Sequence, residues 1–418
     1  MAASDVVTVF SDIVNAIGSE VKSLKDYFNS NTKLLKIFEE RDVMWRGDYS
    51  YDALETFRMG GFAFNTGDAG YDLPTPAAPN IEQVKIPLAY SYQALELPEP
   101  LIKRVEAARD YSALANYVES RTRAVLKALA MQVENAMVSK EGAFATIGTV
   151  SSQTTLTLTG IYHDNVVEIF CSPGDEIDIW DGTTKIERKI TAVDPINNQI
   201  TVDSAVTTSG TSYVAFKNAL YNNGGSLASN SFYTIDGIID DDNPSFRSDF
   251  EGIDASSETW WRAYVDDNSG ILRDLTLTMF DKAMDRVSEL AGDEEIPKYA
   301  LVNHGIRRSL IGILRTENQP TEVIVGEAGW KGIKYTWGDR NLIIRASHKV
   351  PKNSIYLINP EAIGVYKLAT AEPLSVTGSA TAFMIGNKPS FQMWYEYYAN
   401  LGTDNRHALA KIIDLNEG

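Results

Sequence analysis

The sequence predicts an α+β chain of several parts, with a small all-β domain inserted between them. Three observations carry this. Residues 112–138 hold one unbroken helical repeat of apolar positions. Residues 146–216 then switch to short segments of alternating apolar and polar type, separated by turn signals. From residue 263 onward, helix-type and strand-type segments alternate.

Composition bounds the class. The chain has 418 residues, 44% hydrophobic and 22% charged, which is ordinary for globular protein. A chain of this length buries a large core without covalent staples. Its 56 acidic and 38 basic residues leave a net charge of −18. That argues against a general binder of nucleic acid or anionic membrane, because phosphate binding needs surplus Lys and Arg. The one cysteine, Cys171, excludes an intrachain disulfide framework and a cysteine-rich metal site. The start, MAASDVVTVF, lacks the basic residues and long apolar run of a secretion signal. No segment approaches the ~18 apolar residues of a membrane span. The expectation is an acidic, soluble, intracellular multidomain protein.

The elements follow in order. Val6, Val7, Phe10, Ile13, Val14, Ile17, Val21, Leu24 and Phe28 recur at three- and four-residue steps and predict an amphipathic helix. Its apolar stripe is buried either on its own domain or on a neighbouring subunit. Residues 47–100 read as a long two-stranded excursion, whose irregular middle holds Gly67, Gly70, Pro74, Pro76 and Pro79. A lone ribbon is marginal in water, so it must lean on something. This stretch is net −6, whereas residues 101–140 are net +3.

The helix at 112–138 has Ser112 as its candidate cap and Leu114, Val118, Val125, Leu129, Val133 and Met137 on one stripe. Its Glu119–Arg123 pair at i,i+4 adds only tenths of a kcal/mol. In 146–216 the turn signals are Pro173-Gly174, Asp181-Gly182 and Asn197-Asn198, and the strands between them predict a small barrel or sandwich. Residues 236–258 are strongly acidic, carrying Asp236, Asp240, Asp241, Asp242, Asp249, Glu251, Asp254 and Glu258 against Arg247, and Asp240-Asp241-Asp242 reads as a solvated acidic loop. Beyond it come a helix at 270–292, a strand at 298–303 and a second helix at 305–317 capped by Asn303. Strands follow at 333–337 and 341–347. Residues 354–368 read as strand, turn, strand, and 390–415 as two strands around a turn.

A search for chemistry returns little. The chain lacks GxxxxGK[ST], GxGxxG, HExxH and GxSxG. Ser19 and Lys22 fit SxxK on the N-terminal helix without companion motifs. Cys171 sits in a strand-like IFCSP run and reads as a buried thiol. His163, His304, His348 and His407 have no paired spacing and read as structural or surface residues. Asp240-Asp241-Asp242 lacks the alternating ligands and central glycine of a calcium loop. The aromatics Trp260, Trp261, Trp394, Tyr395, Tyr397 and Tyr398 have no basic groove beside them, so core or interface is the reading. No catalytic residue, metal site or cofactor is called for, and the chain is not read as an enzyme. What the sequence does demand is a partner for its ribbon and its apolar N-terminal helix.

The order of these elements resembles the major capsid protein of tailed bacteriophages, with its Hong Kong 97-like fold. The stretches that carry the resemblance are KYALVNHGIRRSLIGIL, GWKGIKYTWGDRNLIIRASHKVPKNSIYLINPEAIGVYKL and YYANLGTDNRHALAKIIDL. It spans the chain apart from residues 146 to about 225. It implies an N-terminal arm (1–46), an extended loop (47–100) and a peripheral domain with a long spine helix (101–145, with 226–262 and 386–418). An axial domain (263–385) and an inserted β-barrel-like domain (146–225) complete it. It also implies self-assembly into hexamers and pentamers of an icosahedral or prolate head, assembled in the host cytoplasm around double-stranded DNA that an acidic wall contacts weakly. A separate scaffolding protein, a portal and a decoration protein are the implied partners, with no membrane.

The charge pattern fits this. The acidic loop, with Asp68, Tyr71, Asp72 and Lys85, would lie on the basic spine residues Arg121, Arg123 and Lys127 of a neighbour, where complementarity sets register more than affinity. Phe10, Ile13 and Ile17 would be the arm contacts. Lys85 is the only lysine of the loop and has no identifiable crosslinking partner. Two alternatives stand beside this one: an encapsulin-like cellular nanocompartment shell, and a binding protein or enzyme acting through the inserted β domain.

Overall fold

The computed structural model describes residues 34–41, 43–55, 81–98, 100, 111–316, 323–325, 331–338, 340–376, 379–380, 383–384 and 390–417. The arm residues Phe10, Ile13 and Ile17 and the loop residues Asp68, Tyr71 and Asp72 lie outside these. The first described elements are the short strands β1 (Glu39–Arg41) and β2 (Trp45–Arg46), then β3 (Tyr49–Glu55), β4 (Ile81–Pro87) and β5 (Ala89–Pro98). The helix α1 (Tyr111–Val138) follows. Ser112 lies within the span of α1.

Only part of the expected 47–100 excursion is a ribbon. β3 pairs antiparallel with β4 from Tyr49↔Pro87 to Glu55↔Ile81, and β2 adds a third strand. Pro87 has no N–H for the ladder, and the next N–H, of Leu88, turns to the Asp48 carbonyl at 2.8 Å. β5 therefore leaves the ribbon and joins a remote strand.

The β block is one seven-stranded sheet. Its strands are β6 (Ala143–Ile147), β7 (Val150–Thr157), β8 (Thr159–Gly160), β9 (Glu176–Asp181), β10 (Thr184–Asp194), β11 (Gln199–Thr208) and β12 (Ser212–Phe216), with a one-turn helix α2 (Val166–Phe170). The spatial order is β7-β11-β10-β9-β12-β6-β8. The two end strands of that order, β7 and β8, are separated in sequence by Leu158 alone, so the sheet curls on itself. Val166, Val167 and Phe170 of α2 pack in one cluster with Leu156, Ile179, Ile200 and Val214 of the strands. The chain enters through β6 and leaves through β12, and these two pair antiparallel.

A hairpin, β13 (Leu220–Asn223) and β14 (Ser226–Ser229), and the turn α3 (Ile235–Ile238) lead into the acidic connection. The remaining elements are β15 (Tyr264–Asp266), α4 (Leu277–Ala291), β16 (Tyr299–Val302), α5 (His304–Thr316), β17 (Val323–Val325), β18 (Lys331–Trp337) and β19 (Arg340–Ala346). They continue as β20 (Ile355–Ile358), β21 (Ile363–Pro373), three two-residue strands β22 (Ser375–Val376), β23 (Ser379–Ala380) and β24 (Phe383–Met384), β25 (Ser390–Thr403) and β26 (Ala410–Ile412). Asn303 caps α5 as expected: the Gly305 N–H donates to its Oδ1 at 3.2 Å.

These strands form two sheets. One runs β15-β26-β20-β16-β19-β18-β17, with Phe280 and Val287 of α4 and Ile306 and Leu310 of α5 in its core. The other runs β1-β21-β25-β24, with β5 on β25 in unbroken register from Ala89↔Ala399 to Pro98↔Ser390. Helix α1 packs on this second sheet: Leu126, Leu129, Val133 and Met137 are buried, and the Thr122 and Tyr395 hydroxyls lie 3.2 Å apart. Each such buried Leu is worth about 2 kcal/mol of transfer free energy.

The strands expected at 354–368 and 390–415 are present, and the members of each pair belong to different sheets. β20 and β26 lie in the first sheet, β21 and β25 in the second. A division at 385/386 therefore does not follow sheet membership. Asp241 and Asp242 are exposed, as expected of a solvated loop, but the stretch around them packs on an interior cation. The Arg406 side chain, 1% exposed, donates to the carbonyls of Gly237, Ile238, Asp240, Asp242 and Trp261 at 2.7 to 3.3 Å. Its guanidinium also stands 4.7 Å from the Phe250 ring centroid. Asp236 accepts from Tyr162 at 2.8 Å and Tyr356 at 2.9 Å and pairs with the buried Lys411.

Candidate assembly surfaces

Three surfaces of the described chain lack a complete partner of their own. The first is the ribbon. Val84 and Ile86 are buried at its base, whereas Ile81, Glu82 and Gln83 at its outer end are exposed, Ile81 to 59%.

The base is held by a turn that sequence reasoning missed. Glu251 has φ +56°, unusual for a residue with a Cβ. Its carbonyl accepts the Lys85 N–H at 2.7 Å, and its own N–H donates to the Tyr233 hydroxyl at 3.0 Å. Its fully buried carboxyl accepts the Thr403 N–H through Oε1 at 2.8 Å, while Oε2 has no hydrogen-bond partner among the described residues. Burial pushes this carboxyl well above the usual carboxylate range. Gly402 leaves room beside it: a Cβ there would come 2.5 Å from Ile86 Cδ1 and 2.8 Å from Tyr366 Cε2, so these side chains would have to shift. Lys85 sits over Gly252 of the same turn, with its side chain exposed.

The second surface is the face of the β5–β25 pair opposite α1. The register puts Ser91, Gln93 and Leu95 on the α1 side with Tyr395 and Tyr397, and Tyr90, Tyr92 and Ala94 on the other with Trp394, Glu396 and Tyr398. Tyr398 stands edge-on to both neighbours, 5.0 Å from Tyr90 and 5.6 Å from Tyr92 between centroids. The Tyr90 hydroxyl donates to Asp48 at 2.7 Å, and that of Tyr398 to Glu396 at 2.6 Å. Tyr90 and Tyr92 are nonetheless 48% and 52% exposed.

The third is the outer face of α1. Arg123 and Lys127, four residues apart, share it, and both are exposed. Arg123 is paired with Glu119 at 2.6 Å, an exposed contact worth little. Arg121 points elsewhere and folds over Tyr117, its guanidinium 5.3 Å from the ring centroid. Of the four described contact residues, Lys85 is at the ribbon base, Arg123 and Lys127 share one face of α1, and Arg121 lies on another side; Asp68, Tyr71 and Asp72 lie outside the described residues.

The start of the described chain is tied down firmly. Glu134 of α1, buried, accepts the Leu34 N–H at 2.8 Å and pairs with Lys349 at 2.7 Å. Arg41 binds both carboxylate oxygens of Asp404, at 2.8 and 3.2 Å. Residues 1–33 thus join the subunit where α1 meets the 347–352 loop.

No reactive cluster accompanies these surfaces. Among the described residues, no group of three or more His, Cys, Asp or Glu is placed to hold a metal ion. The Cys171 thiol is buried and pushed up to about 12 by burial, as a structural thiol would be. His163 packs against Phe170, 5.5 Å between ring centroids, and burial pushes it down to about 4.

Comparison with known proteins gives likenesses of fold. No family model and no curated protein matches the sequence. Among solved structures, the chain is similar to the Cyanophage A-1(L) capsid asymmetric unit at 11% identity, over 92% of this chain and 93% of that one, with a TM-score of 0.49. It is similar to the capsid of an empty GTA particle at 10% identity, over 92% and 90%, with a TM-score of 0.43. It is similar to Gordonia phage Cozz at 8% identity, over 92% and 86%, with a TM-score of 0.42.

Proposed function

We propose that this chain is the shell-forming subunit of a viral head, with the Hong Kong 97-like arrangement of arm, extended loop, spine helix, peripheral and axial parts. The observation that carries the reading is the ribbon. It is anchored at its base by Glu251 and Asn400, the latter donating to the Pro87 carbonyl at 2.7 Å, yet among the described residues its outer end, Ile81 to Gln83, is exposed. A ribbon of this kind is marginal alone, and another copy would supply the packing it lacks. The helix α1 under a sheet, and a separate α/β sheet fed by crossing strands, supply the rest of the arrangement.

In this reading copies associate into hexamers and pentamers around double-stranded DNA. The acidic stretch bearing Asp68, Tyr71 and Asp72 meets Arg123 and Lys127 of the next copy, a face that Arg121 does not share, and the segment preceding Leu34 reaches a neighbour through Phe10, Ile13 and Ile17. The protein's work is mechanical containment, which calls for surfaces and not for a catalytic site. The curled β6–β12 sheet hangs from its neighbours through adjacent strands, which suits an added module at the shell surface. The test is the variant Asp68→Lys with Asp72→Lys. Its thermal unfolding should match the parent while particle formation falls sharply. Normal particles from the variant would remove the charge argument.

A further inference from the structure

We propose that residues 161–164 are an acid-sensitive latch, which holds the inserted β6–β12 domain against the 347–352 loop and opens when His163 takes up a proton. The device belongs to the single subunit and does not depend on how copies associate.

The inserted domain meets the rest of the subunit twice. At the neck the chain enters through β6 and leaves through β12, and the Phe216 N–H donates to the Gly142 carbonyl at 3.0 Å. The second meeting is the loop after β8. The Lys352 N–H donates to the Tyr162 carbonyl at 3.1 Å, and the Lys352 ammonium pairs with Asp164. The Tyr162 hydroxyl donates to Asp236 at 2.8 Å. The loop is held closely on its own domain: Asn198 donates to the Asp164 carbonyl, and a Cβ on Gly160 would fall 1.6 Å from the His163 carbonyl. On the body side the packing is incomplete, because Val138, Val350, Pro351 and Tyr356 border a small cavity. Few bonds and an incomplete packing surface make such a contact a local opening unit.

His163 sits at the middle of this contact as a neutral ring. It is 4% exposed, packs beside Phe170 and donates to the Val138 carbonyl at the end of α1. Its Nε2 has no hydrogen-bond partner among the described residues. A proton there adds a donor with no acceptor and a charge in an apolar slot. The surrounding charges do not compensate. Asp164 on the same loop attracts a cation, but it is exposed and engaged by Lys352. The facing loop brings His348 beside His163, with Lys349 next to it, and α5 adds His304. Glu134 of α1 is held by Lys349, and Glu168 of α2 faces His348. Acid therefore charges His163 and His348 against each other across the contact.

With the latch closed, burial pushes His163 down to about 4; released, the ring returns to its ordinary 6.5. Closure is fully favoured above that ordinary value and weakens as pH falls toward the closed one. Between pH 7.5 and pH 5 the equilibrium shifts about 30-fold toward release.

The test is hydrogen exchange of the full chain at pH 7.5 and pH 5, with each rate corrected for the intrinsic effect of pH on amide exchange. The Lys352 amide, whose bond spans the latch, should lose about 30-fold of its protection at pH 5. The amides of α4 and the Phe216 amide at the neck should keep theirs. His163→Phe is uncharged at every pH and should protect Lys352 equally at both. Should that variant fail to fold, His163→Gln makes the same comparison. Equal protection of Lys352 in the parent at both pH values, the same loss in the variant, or a matching loss in α4 and the neck overturns the inference.

Discussion

Replacing Arg406 by Met tests whether one guanidinium folds the acidic connection. Met keeps most of the volume and removes the charge and every donor. Of the five carbonyls that Arg406 serves, those of Gly237, Ile238 and Trp261 belong to buried residues. Leaving a buried acceptor without a partner costs about 1–3 kcal/mol. Three would cost about 3–9 kcal/mol, reduced where water enters beside the less buried Asp240 and Asp242. The charge itself is expensive to keep: burial pushes Arg406 down to about 10 against the fields of Asp240 and Glu251. Relief of that penalty offsets part of the loss, so the expected net is about 4 kcal/mol, the size seen when a buried charge network is broken. That is a large share of a typical folding free energy of ~5–15 kcal/mol. The assay is urea unfolding of the unassembled chain, followed by fluorescence of Trp261, whose carbonyl Arg406 holds. At ~3 kcal/mol per M, the midpoint should fall by about 1.3 M. Arg406→Lys should lose nearly as much, because an ammonium cannot reproduce a planar fork of five donors. A midpoint unchanged within error for Arg406→Met would refute the reasoning.

Two further outcomes concern buried carboxyls. Glu251 holds its proton in the folded chain above its unfolded pKa of ~4.3, so it favours folding below that value and disfavours it progressively as pH rises toward the folded pKa. Glu251→Gln keeps the acceptor for Thr403 and removes the titration; relative to the parent it should be more stable at pH 8 than at pH 5, and an equal difference at both pH values in thermal melts would contradict this. At the arm junction, Glu134→Gln keeps an acceptor for Leu34 but strands the ammonium of Lys349, costing about 3 kcal/mol in denaturant unfolding. Adding Lys349→Met should recover most of it, and strictly additive losses would show the pair to be uncoupled.

The parts legible in the sequence are those whose signal is local. The apolar stripe of α1, the alternation in β6–β12 and the Asn303 cap each sit within a few turns or one turn of chain. What was not legible depends on remote partners. Ile363–Pro373 looks like the second strand of a hairpin because only a four-residue turn precedes it, yet its partners are β1 and β25. Arg406, in a polar TDNRHALA run, has the local look of a surface residue; five carbonyls from another stretch make it interior. Glu251 reads as one acid among eight, and only the fold reveals that its positive φ and buried carboxyl fasten the ribbon. The tyrosines of β5 were visible as strand residues, but their stacking on Tyr398 needed the β5–β25 register.

Whether this chain closes into shells is decided by electron microscopy of the purified 418-residue chain, with size-exclusion chromatography alongside. Closed particles, tubes or rings of hexamer size are expected, with a matching high-mass peak. A single monomeric peak at every protein concentration, with no ordered assembly on the grid, would contradict it.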